Sequence, residues 1–134
     1  MIAAIVAAFA LQADPPPFLD YIEEAEALGR AGYMAGACVS LGIIEADGDA
    51  LDELEQDFRR RAVLARTDGP IIEAAIQRGI ERERAASTMM FDLGPDDGSA
   101  RRLRREAQAV EYFGAGCADL ALDYPSAFRM SGDD

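Results

Sequence analysis

Along the first third of the chain, Phe18, Ile22, Ala25, Gly29, Gly32, Gly36, Val39 and Ile43 recur at alternating steps of four and three. That is the period of one face of an α-helix. The pattern predicts a first helix over 17–44, opened by Pro15-Pro16-Pro17 with Asp20, Glu23 and Glu24 near its positive end. From Ala31 to Ile44 no charged side chain occurs on any side, so this half is expected to be enclosed by other helices.

A second helix is expected over 49–66, capped by Asp49, with Leu51, Leu54, Phe58, Ala62 and Ala65 inward. Thr67-Asp68-Gly69-Pro70 forms a turn whose proline suits the first position of a third helix, over 70–91. That helix is expected to bury Ile72, Ala75, Ile76, Ala86 and Met90. A loop with one proline and two glycines covers 92–99, and a fourth helix covers 99–122 with Leu103, Ala107, Val110, Gly114, Cys117 and Ala121 aligned. Asp123-Tyr124-Pro125 stops it, and 131–134 reads as a flexible acidic tail. No alternating run argues for a strand. The fold class predicted is all-α: a four-helix, largely up-down bundle with short connections, occupying 14–130 as a single helical domain with one core.

Residues 1–13, MIAAIVAAFALQA, form an uncharged run of small and branched apolar residues. The run reads as a signal peptide, with Ala8-Phe9-Ala10 fitting a cleavage site and cleavage after Ala13 as an alternative. It has no basic residue ahead of it, and an ordinary N-terminal helix or strand is the competing reading. A membrane span needs about 20 apolar residues, so no transmembrane anchor is expected. The expected location is the periplasm or the exterior, with the cytoplasm and two free thiols as the alternative.

Two cysteines in an exported chain tend to pair. Tyr33-Met34-Ala35-Gly36-Ala37-Cys38 and Tyr112-Phe113-Gly114-Ala115-Gly116-Cys117 share one pattern of an aromatic residue, a large apolar residue, three tiny residues and a cysteine. A disulfide requires Cα atoms closer than packed helix axes usually allow. The tiny residues are therefore expected to clear the approach for a Cys38–Cys117 bridge linking the first and last main helices.

Composition narrows the chemistry. The 134 residues carry a net charge of −12, every basic residue is arginine, and histidine is absent, which removes the side chain most used for acid–base work and metal ligation near neutral pH. Acids dominate 14–57, where Arg30 is the sole basic residue, and arginines outnumber acids over 58–105. Acidic and basic helices are expected to pack as neighbours. The total charge disfavours nucleic acid as a partner.

Glu83 falls on the apolar stripe of the third helix, so it should either have a raised pKa, as a general acid would need, or find an arginine partner. Arg101, Arg102, Arg104 and Arg105 crowd the start of the fourth helix, where positive charge opposes the helix dipole; relief from the acidic first helix, or an acidic partner, is expected. The acidic stretches at 47–49 and 92–97 fail as EF-hand loops because Leu54 or Arg104 falls where the bidentate glutamate belongs. No catalytic, metal-ligating or cofactor-binding set can be assembled, and no cofactor is implied. The function expected is a non-catalytic, exported module of the cell envelope that contacts a protein partner or itself. The alternative is a small enzyme or ligand-binding protein with its site near Glu83.

Overall fold

A computed structural model describes residues 17–132, and the proposed leader lies outside them. Four helices dominate: α1 (Pro17–Ser40), α2 (Gly48–Leu64), α3 (Gly69–Phe91) and α4 (Ala100–Asp123). Two short strands, β1 (Ile44–Ala46) and β2 (Phe128–Met130), complete the order, β1 after α1 and β2 after α4. The disulfide forms between Cys38 on α1 and Cys117 on α4, with Cα atoms 5.7 Å apart, and both side chains are fully buried.

α1 stops earlier than its apolar stripe. Leu41-Gly42 ends it: Gly42 takes φ +75°, its N–H donates to Val39 O, and Ile43 N–H donates to Cys38 O. This bond pair is a Schellman cap, and its left-handed position suits glycine. Ile43 and Ile44 thereby leave the helix. Ile44, Glu45 and Ala46 then pair antiparallel with Met130, Arg129 and Phe128. Three-residue strands are too short for an alternating pattern to register, so this ladder leaves no mark in the sequence. Arg129 bridges to Glu45 across it at 2.5 Å.

The cap of α2 falls on Asp47 rather than Asp49. Its Oδ1 accepts from Asp49 N–H and Ala50 N–H. The same residue's N–H donates to Ala127 O, so the start of α2 is tied to the chain just ahead of β2. α2 ends in a second Schellman pair, from Arg66 to Val63 O and Thr67 to Ala62 O, with Arg66 in the glycine-favouring region at φ 59°. Ser99 caps α4 by accepting from Arg102 N–H.

Instead of one core there are two clusters. The first joins Ala25, Phe58, Ile72 and Ala75, with Phe58 contributing about 1.5–3 kcal/mol by its full burial. The second surrounds the disulfide with Met34, Ala35, Ile44, Phe113, Leu120, Ala127 and Phe128. Between them α1 and α3 cross in backbone contact at Gly29 and Gly79. A Cβ on Gly29 would lie 2.0 Å from Ile76 O, and one on Gly79 would lie 2.0 Å from Glu26 O. Backbone meets backbone here, at glycines away from the cysteines. Gly36 and Gly114, expected to clear the way for the bridge, have nothing within 4 Å of an added Cβ, and only Gly116 meets a neighbour, the Met34 side chain.

The acids of α1 pair with α2 and α3. Arg61 holds Glu24 at 2.7 Å, and Arg78 and Arg82 hold Glu26 at 2.9 and 3.5 Å. The hydrogen bond from Arg78, foremost, holds the Glu26 carboxyl below its ordinary pKa. Such exposed pairs are each worth under about 1 kcal/mol, so they orient neighbours more than they stabilise them.

Candidate functional site

The uncharged half of α1 is enclosed on one side only, where Met34, Ala35 and Cys38 are buried. Gly32, Gly36 and Val39 are exposed, Val39 to 46%, and they floor an open groove of about 530 Å³ between α1 and α2. Leu51, Leu54 and Phe58 of α2 form the facing wall, Ile76 of α3 lies along it, and Tyr124 and Phe128 line it too. The sequence produces this directly. A helix face built of glycine and alanine carries no side chain large enough to fill the space beside it, and no atom lies within 4 Å of a Cβ at Gly32 or Gly36.

The groove is mainly apolar, with Asp52, Glu55 and Arg59 as its charged members. Arg59 is already bound by Glu55 and Glu73, at 2.9 and 2.7 Å. The charge left over is acidic. Its volume falls within the usual range for pockets that bury a small apolar body. The stripe of α1 gave the right face and the wrong environment, because periodicity marks an apolar face without saying whether the same chain covers it.

Glu83 is buried, as its phase on α3 implied, but it neither pairs with an arginine nor lines this groove. Its Oε2 accepts from the Tyr112 hydroxyl and from Ser87 Oγ, the latter at 3.1 Å. Ser87 is wholly buried. The result is a polar latch between α3 and α4 inside an otherwise apolar contact, beside the edge-on pair of Tyr112 and Phe113.

Burial first, and the hydrogen bond to Glu83 second, push the Tyr112 phenol up to about 12. Its unfolded value is about 10, so the folded form holds this proton more tightly. The stability it contributes is intact below pH 10 and is lost as pH rises from about 10 to about 12. In a Tyr124→Phe background, which removes the other phenol that burial raises, phenolate absorbance should show a late-ionising tyrosine in that window, and Glu83→Gln should shift it downward by removing the carboxylate's charge. An unshifted Tyr112 would remove the latch.

The arginine cluster divides. Arg102 bonds Glu106 at 2.7 Å and Gly94 O at 2.9 Å, and Arg105 bonds Asp92 O at 2.8 Å. These two staple the 92–99 loop to α4, so relief of the N-terminal charge comes from loop carbonyls and Glu106 rather than from the first helix. Arg101 and Arg104 point to solvent, with no ion pair among the described residues. No group of three or more acids and cysteines among the described residues is placed to hold a metal ion. No described helix is long and apolar enough to cross a membrane. The chain matches no family model, no curated protein and no solved structure, so any reading of function rests on this geometry.

Proposed function

We propose that the protein is a non-catalytic binding module of the cell envelope, exported by its N-terminal leader, whose groove takes an apolar segment of a partner protein carrying a basic residue. The observation that carries this reading is the uncovered lane over Gly32, Gly36 and Val39, faced by leucines of α2 and rimmed by an acidic surplus. An apolar surface left open beside a well-packed core marks an interaction site. The acidic rim and the net charge of −12 select a basic flank on the partner. Export is supported by the leader pattern and by a disulfide, which persists in oxidising compartments.

A photo-crosslinking side chain placed at Val39 in envelope-expressed protein tests this. One apolar, basic-flanked segment of a single protein should be captured there and not from a control at Arg60. Gly36→Leu fills the lane without touching the core and should abolish capture. No adduct, or equal adducts at both positions, would overturn the reading.

A further inference from the structure

The apolar stripe of α4 runs out of the molecule. Leu103 is 59% and Val110 74% exposed, Ala107 is exposed, and Gly114 has nothing within 4 Å of an added Cβ. At 100° per residue these four positions form one strip lying to one side of the buried face that carries Phe113, Cys117 and Leu120. The exposed charges Arg104 and Glu111 stand seven residues apart along one edge of it, and neither has an ion-pair partner among the described residues.

We infer that this strip is where a second copy of the chain binds, through an antiparallel pairing of the two α4 helices. A two-fold axis between Ala107 and Gln108 makes the contact isologous, so Arg104 and Glu111 stand equally far from it on opposite sides. Arg104 then meets the partner's Glu111, twice per dimer, while the two apolar strips lie against each other. The small residues Ala107 and Gly114 let the backbones approach. The charge pattern is what selects a second copy. Two chains of charge −12 repel overall, and an edge that carries Arg104 at one end and Glu111 at the other is complementary to its own reverse.

Sedimentation of the oxidised protein tests the pairing. The wild type should be dimeric. Arg104→Glu turns both symmetry-related attractions into repulsions and should weaken dimerisation by about tenfold or more, with the melting temperature of the monomer not lowered, because Arg104 makes no hydrogen bond or ion pair with a described residue and an acid near the start of α4 suits the helix dipole. The charge-swapped double variant Arg104→Glu with Glu111→Arg should dimerise again. A wild type that stays monomeric at every accessible concentration, or a double variant no better than the single, would overturn the inference. So would dimerisation that persists in Val110→Asp. Crosslinking at Val39 is read out on another face, so the groove reading stands or falls separately.

Discussion

Replacing Cys38 and Cys117 together by alanine should lower the unfolding free energy by about 4 to 5 kcal/mol, the chain-entropy cost of releasing a loop of roughly 80 residues. The two cysteines are 79 positions apart. Domains of this size hold a total of about 5 to 15 kcal/mol, so the variant should be marginal at physiological temperature. The effect acts mainly through the unfolded state, because the second cluster keeps Met34, Ile44, Phe113 and Phe128 in contact whether or not the sulfurs are joined. Urea titration of the oxidised protein beside the double variant measures it. A loss under about 1 kcal/mol would mean that strain or residual structure cancels the loop term.

A comparable loss is expected where no bond is broken. Gly29→Ala and Gly79→Ala each place a methyl carbon 2.0 Å from a carbonyl oxygen of the opposite helix, and backbone atoms cannot rotate aside as a side chain does. Either change must separate α1 from α3, at a cost of about 3 kcal/mol or more. Gly32→Ala and Gly36→Ala, on the same helix and in open space, should instead raise stability by up to about 1 kcal/mol each through helix propensity. Denaturant midpoints of the four variants decide the matter. If Gly29→Ala were as benign as Gly36→Ala, the crossing would not be where Gly29 and Gly79 put it.

That contrast shows what could be read in advance. The four helices and the disulfide follow from apolar periodicity, turn residues and paired cysteines. Which glycines mark a close approach does not follow from α1 alone, since Gly29, Gly32 and Gly36 occupy one stripe. The telling signal was Ala75 and Gly79 on α3, a small pair spaced like Ala25 and Gly29 but set among Arg78, Glu81 and Arg82, which disguise it. Gly42 could have ended α1 on sequence grounds had its four apolar neighbours not continued the pattern. The groove and the bare strip of α4 share one cause of illegibility. Periodicity identifies a face that avoids water and is silent on whether its cover belongs to the same molecule.

The Glu83 latch was half legible for a related reason. Phase put the carboxylate inside, whereas its hydroxyl partners, Ser87 one turn on and Tyr112 on another helix, depend on how α3 and α4 meet.

The pairing of β1 with β2 sets an order of events. Glu45 and Arg129 stand 84 residues apart, and Asp47, which caps α2, leans on Ala127, so β1 and the start of α2 cannot reach their final seats until the late half has been made. The cluster around the disulfide, which draws on both ends of the chain, therefore stays open while the polypeptide emerges from the ribosome. Such delayed closure is what the proposed export would require of a chain that folds and oxidises on the far side of a membrane.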